Sequence, residues 1–317
     1  MDINFIFNAG NIWSLASYSC KTVLILALAL AIYSLARRAS ASVRHAALSL
    51  VLLATALSPL WSTLLPRWAI VPVPQAAVSA MFPSAPAFDP TASRISDPPE
   101  SNQPSAISAA PSRKENSAWW VTPVSTAYVF GLLIVITHTA AVLFWTRRLR
   151  RAAKKLSAEQ KYVRVDAARA AAEMNVRRQV EILFSEKLTV PVVCGWFRPA
   201  ILLPSDATTW SSSHLRSVFL HEMAHLKRRD ELTTTFARLS IAWQWFNPLV
   251  WLVLERCNSE RERACDDLVL TAGVPATDYA DHLVVSARSA ATRWLRPAGV
   301  AMDRTSDIEA RLSDILD

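Results

Sequence analysis

The chain reads as an α+β membrane protein: three N-terminal transmembrane helices, then a cytoplasmic, mostly helical domain carrying a small antiparallel sheet. Three observations predict this. Hydrophobic residues make up 52% of the 317 and include 12 tryptophans, and they gather in runs instead of spreading along the chain. Arginine and lysine collect at the ends of those runs. The part after residue 150 carries short β-rich stretches and long segments of helical periodicity.

The first span takes in Thr22 to Ala36, which holds no charge until its end. Extended back past Lys21 to Ile12, it is long enough for about 30 Å of hydrocarbon, with Lys21 snorkelling or facing a partner helix. A signal peptide is the poorer reading, because no basic run precedes the segment and no small-residue cleavage pattern follows it. Ala46 to Leu65 is the second span and Val124 to Trp145 the third, the latter flanked by Trp119, Trp120 and Trp145 at interfacial positions. Arg37, Arg38 and Arg44 follow the first span; Arg147, Arg148, Arg150, Arg151, Lys154 and Lys155 follow the third. Basic loops belong in the cytoplasm, so the N-terminus lies outside. The expected divisions are 1–65, two helices with a short cytoplasmic loop; 66–118, an extracytoplasmic linker loop rich in Pro, Ser and Ala; 119–146, the third span; and 147–317, the cytoplasmic domain. The net charge of +8 reflects that topology, and no nucleic acid is expected as a partner; the lipid bilayer is. The four cysteines form no CxxC, so no disulfide framework is expected.

Lys155 to Val176 has a helical pattern with an Ala-rich centre. Val180 to Phe184, Val190 to Val193 and Ile201 to Leu203 are β-rich, with Gly195 and Pro199 as punctuation, which predicts the small antiparallel sheet. Prolines in these runs point to an edge strand. Val192, Val193, Cys194 and Gly195 are the candidate positions for taking an extended peptide as an added strand.

The next helix is capped by the Ser211-Ser212-Ser213 run and continues with Leu215, Val218, Phe219, Met223 and Leu226 at helical spacing. Lys227, Arg228 and Arg229 close it with the charge that a helix C-terminus favours. Inside it lies His221-Glu222-Met223-Ala224-His225. Histidines four apart share a helix face, and the HExxH pattern makes them zinc ligands with Glu222 activating the metal-bound water. A catalytic zinc takes three protein ligands and keeps one open position. Glu262 is the candidate third ligand, and Asp266, one turn on, would orient a ligating histidine. Glu260 competes for the ligand role, and Cys265 is a thiolate alternative. The same run also reads as a solvated helix face of Glu–Arg pairs. His214 and His282 are candidates for stabilising an oxyanion. Between the histidines and Glu262 stands the apolar stretch Phe236 to Leu254. A full crossing there would leave Glu262 on the opposite side from His221. A buried or membrane-dipping helix, kinked or restarted at Pro248, is therefore expected.

Four runs in this order, PVVCGWFRPAILLP (191–204), HEMAHLKRRD (221–230), FNPLVW (246–251) and ERERACDD (260–267), with the tail IEARLSDIL (308–316), resemble the BlaR/MecR-type integral-membrane zinc metallopeptidases. Those proteins are sensors and signal transducers of antibiotic response. The resemblance covers roughly residues 120–317. It implies a gluzincin-like site with His221, His225 and Glu262 on zinc, Glu222 as base and Asp266 in support, and it is this resemblance that favours Glu262 over Glu260. It also implies a bacterial-type cytoplasmic (inner) membrane location, a repressor or the peptidase itself as protein substrate, and a sensor partner. The well-known sensor members carry a fourth span and then an extracellular penicillin-binding domain; this sequence shows no spanning run after residue 287 and no SxxK serine motif, and so departs from them in the features that β-lactam sensing uses. The competing expectation is a non-catalytic membrane signalling protein that retains the zinc-binding fold.

Overall fold

The computed structural model describes residues 9–58, 60, 121–157, 160–291 and 303–316. The expected loop over 66–118 lies outside the described residues. The N-terminal part holds α1 (Ala9–Leu35), a short 3-10 turn (Ala36–Arg38) and α2 (Ala41–Ala56). After residue 120 come α3 (Val121–Ala152), β1 (Lys154–Lys155), α4 (Lys161–Glu173), β2 (Glu181–Ser185), β3 (Val192–Cys194) and β4 (Ala200–Pro204). Five helices follow: α5 (Ser212–Arg228), α6 (Asp230–Gln244), α7 (Pro248–Thr271), α8 (Ala276–Ala291) and α9 (Asp303–Leu316).

Among the described residues, the helix long and apolar enough to cross a membrane is α3, over Pro123–Ala152, and its apolar window is only 6% buried. Phe130, Leu133, Ile134 and Phe144 all face outward along it. The other two expected spans appear as shorter apolar helices, Ser19–Leu35 and Ala41–Ala56. The second described helix ends at Ala56; residues 59 and 61–65 of the expected Ala46 to Leu65 span lie outside the described residues.

The sheet corrects the sequence reading: it is mixed, not antiparallel. Its order is β1-β2-β4-β3, with β2 and β4 parallel, Ile182 opposite Ile201 and Phe184 opposite Leu203. Gly195, at φ +96°, turns the chain tightly after β3, so that β4 folds back along it with Val193 opposite Ile201. This places β4 between β3 and β2, and the long β2–β3 connection lets β4 run parallel to β2. The all-buried pattern of β4 is that of a strand covered on both faces. β1 was not expected at all; two lysines carry no strand propensity, and the pairing of Lys154 with Phe184 comes from the end of α3 being laid against β2. The helix expected from Lys155 accordingly starts later, at Lys161.

Val163, Ala167 and Ala170 of α4, and Met174 at its C-cap, point inward with Ile182, Phe184, Ile201, Leu203, Leu215 and Phe219, giving one core between α4, the sheet and α5. A second core joins Leu26 of α1, Leu48 and Leu52 of α2, Ala237 and Ile241 of α6, and Val250, Val253 and Cys257 of α7. The Phe236 to Leu254 stretch is thus two helices. Asn247 caps the second, its Oδ1 accepting from the Leu249 N–H at 3.0 Å, and Pro248 occupies the first turn, where its missing N–H costs nothing. α6 runs away from the histidines and α7 runs back, which returns Glu262 to the side it left. The turn between them lies against α3: a Cβ on Gly131 would collide with the Trp245 ring, and Tyr128 donates to the Trp243 carbonyl at 3.2 Å.

Candidate metal centre

α5 begins at Ser211, whose hydroxyl accepts from the His214 N–H at 3.2 Å, and ends at Arg229 in the left-handed region, φ 57°. Between these ends His221 and His225 fall on one face. Donor atoms of His221, His225 and Glu262 all lie within 4.8 Å of one another. The Glu262 carboxylate stands 3.5 Å from His221 Nε2 and 4.0 Å from His225 Nε2. These three side chains therefore converge.

The opposite nitrogen of each ring is fixed by a carboxylate. His221 Nδ1 lies 2.9 Å from the Tyr279 hydroxyl and 3.2 Å from Asp266. Tyr279 donates its own proton to Asp266 Oδ1 at 2.6 Å, so its oxygen is left to accept from the imidazole. His225 Nδ1 is 2.8 Å from Asp230 Oδ2. Each Nδ1 is thus engaged from behind, and Nε2 of both rings is left on the side of Glu262. Arg311 of α9 donates to both oxygens of Asp266, at 2.7 and 2.8 Å, and reaches Glu262 at 3.5 Å.

These contacts set the charge states. Burial alone would raise Asp266, but His221 and Arg311 hold it down at about 2. Burial likewise opposes the ionised form of Glu262, yet His221, His225, Arg261 and Arg311 keep it well below the usual carboxylate range. For Glu222 burial wins, and its carboxyl is raised above an ordinary glutamate despite the two histidines nearby.

The two competing ligands face elsewhere. Glu260 is fully buried and bonded to Tyr33 and Arg44, in a cavity of its own. Cys265 sits behind the His225 ring, 3.3 Å from Nδ1 and 3.6 Å from Asp230, and burial pushes its thiol well above its normal value. With Nδ1 already hydrogen-bonded to Asp230, that rear group is a support for His225.

A cleft of about 1030 Å³ opens over His221, Glu222, His225 and Glu262. Val192, Val193, Cys194 and Gly195 line one wall, and β3 is an edge of the sheet. Leu143 and Arg147 of α3 contribute to another wall. His282 also lines the cleft, with Nδ1 3.0 Å from Ser217 Oγ, whereas His214 is stacked between Trp210 and His282 and buried. Asp230, Tyr279 and Arg311 were not singled out from the sequence. Asp230 ends the HEMAHLKRRD run, five residues after His225, and was within reach of a local reading; Tyr279 and Arg311 arrive from α8 and α9, which no local spacing reveals.

A family model described as BlaR1 peptidase M56 matches residues 13–315. The regulatory protein BlaR1 of Bacillus licheniformis is 37% identical over 98 residues. The methicillin resistance mecR1 protein of Staphylococcus aureus (strain Mu50) is 26% identical, also over 98 residues. Those segments cover 31% and 30% of this chain and 16% of each relative's length.

Proposed function

The chain belongs to the BlaR1 peptidase M56 family, and from that premise we propose that it is a membrane-embedded zinc metalloendopeptidase of regulated proteolysis, cleaving itself or a cytoplasmic repressor-like protein. The observation that carries this reading is the convergence of His221, His225 and Glu262 within 4.8 Å, beside buried Glu222, in one open cleft. Two imidazoles and a carboxylate suit zinc, and the carboxylates behind each ring supply the support that ligating histidines need. Zinc bound there supplies a Lewis acid that polarises the scissile carbonyl and acidifies water near neutral pH.

The chain's own groups account for the remaining steps. Glu222 takes the proton of the attacking water, and burial, which raises its affinity for a proton, suits it to hold that proton and deliver it to the leaving amine. The edge of β3 receives the substrate as an added strand across the cleft. α3 anchors the domain, its arginine-rich end in the cytoplasm, and the α6–α7 turn enters the bilayer beside Gly131. The names of the relatives, a regulatory and a resistance protein, support a role in signalling.

Wild type and Glu222→Gln, expressed in membranes and purified in detergent, test the reading through bound zinc and self-cleavage measured by mass spectrometry. Zinc in both with cleavage in wild type alone is expected. Zinc in neither overturns the site, and cleavage in both overturns the role of Glu222. Zinc in both with no cleavage, even with a candidate repressor supplied, favours the non-catalytic signalling protein.

A further inference from the structure

A second cavity, of about 530 Å³, lies where α1, α2 and α7 meet. Along α7 its lining reads Leu252, Arg256, Glu260, Arg263, a single stripe at helical spacing that passes from apolar to charged. Leu30 and Tyr33 come from the end of α1, and Arg44 from the first turn of α2. Three guanidinium groups therefore line a cavity that holds one carboxylate, and two of them, Arg44 and Arg263, pair with it. Glu260 is fully buried and already accepts from Tyr33 at 2.8 Å and from Arg44 at 2.9 Å, with Arg263 at 3.5 Å. Asp314 meets Arg263 from outside the cavity at 2.9 Å. Arg256 is exposed at the mouth, and among the described residues it takes part in no ion pair.

The polarity of the cavity has a direction. Leu30 lies inside the apolar run of α1, and Leu252 lies one turn before Arg256 on α7; the basic groups stand beyond both, level with the end of α1. An apolar floor under a basic roof, at the cytoplasmic end of membrane helices, matches a phosphodiester headgroup with its first acyl methylenes below it. The volume suits a ligand of that size. Arginine is the side chain best matched to phosphate oxygens, through paired N–H donors.

We propose that this cavity binds the phosphate headgroup of an anionic phospholipid, with Arg256, Arg263 and Arg44 facing the phosphate and Leu30 and Leu252 facing the chains. The site is separate from the metal cleft and independent of peptidase activity; it rests on the membrane placement given above. Glu260 precedes Glu262 by two residues on α7, so a headgroup that competes for Arg44 acts on the helix that carries the proposed zinc carboxylate.

Native mass spectrometry of the full-length Glu222→Gln protein in detergent, titrated with phosphatidylglycerol, tests this. Phosphatidylcholine and inorganic phosphate serve as the other arms. The expected result is saturable retention of phosphatidylglycerol, about tenfold weaker in Arg256→Gln, which loses a charge-assisted contact. Leu30→Trp, which fills the floor and leaves every arginine in place, should abolish retention while the melting temperature stays near that of the parent. Equal retention of phosphatidylcholine, or retention unchanged in both variants, overturns the proposal. Displacement by inorganic phosphate alone at millimolar concentration overturns the lipid assignment in favour of a free anion.

Discussion

Each histidine of the α5 pair ends, at its rear nitrogen, on a carboxylate from another place in the chain: Asp266 with Tyr279 for His221, Asp230 for His225. Removing the charge while keeping the shape should loosen metal binding without unfolding the domain. Asp266→Asn is expected to weaken zinc about 10- to 100-fold in a competition titration, as loss of a ligand's outer partner commonly does. An unchanged affinity would show that Tyr279 alone orients the ring. His214 gives a pH prediction. Burial holds its imidazole down at about 4, against 6.5 in an unfolded chain, and His282 adds to the effect. The unfolded state therefore takes up a proton first, so stability is full above pH 6.5 and is lost as pH falls toward 4. His214→Phe, which keeps the stack on Trp210, should remove on the order of 1 kcal/mol of that loss between pH 7.5 and pH 5. Parallel melting curves at the two pH values decide it, and identical pH slopes would rule it out. At this scale His221, Glu222 and His225 stood out through the HExxH spacing, whereas Glu262 was set above Glu260 by the family resemblance, with Asp266 one turn on. Tyr279 and Arg311 did not stand out, because tertiary folding alone delivers them.

Elements were legible where periodicity was long and ambiguous where it was short. The capped helix over Ser212–Arg228 follows from its serine run, its apolar spacing and its basic end. The sheet misled because short β-rich runs set strand positions but not strand direction; order and direction depend on the tight turn at Gly195 and on β4 entering between two neighbours. The long apolar stretch resolved into α6 and α7 because Asn247-Pro248 both ends one helix and starts the next. That hairpin packs against α3, and at Gly131 there is no room for a Cβ beside Trp245. Gly131→Leu should force α3 away from the hairpin. The expected result is a melting temperature lower by several degrees, consistent with an overpacking cost of about 1–3 kcal/mol. The helix itself should remain, since leucine is the better helix former. Circular dichroism with thermal melting in detergent separates the two effects; an unshifted melt would mean that α3 and the hairpin are not held at this contact.

On the scale of the whole molecule, α7 is the element that joins the parts. Its first half, Val250, Val253 and Cys257, packs in the core shared with α1, α2 and α6. Its far end contributes Val269 to the core of α4, α5 and the sheet. Glu262 lies between these two anchor points and faces the histidines of α5, the helix that packs in the core of α4 and the sheet. A metal held by His221, His225 and Glu262 would therefore cross-link α5 to α7 and tie one core to the other. Binding to the folded state alone stabilises it by about 4 kcal/mol when free metal stands at a thousand times its dissociation constant. For a chain of this length that corresponds to a melting temperature on the order of 10 °C higher. Chelation of purified Glu222→Gln, chosen so that self-cleavage cannot intervene, should lower the melting temperature by about that amount, and added zinc should restore it. Hydrogen exchange gives the location: protection should fall in α5 and in α7 around Glu262, while α3, which supplies none of the three ligands, should change little. A melt indifferent to chelator and to zinc would mean that the three side chains meet without holding a metal that matters to the fold. A uniform rise in exchange would mean that the two cores unfold as one unit, with or without the cross-link.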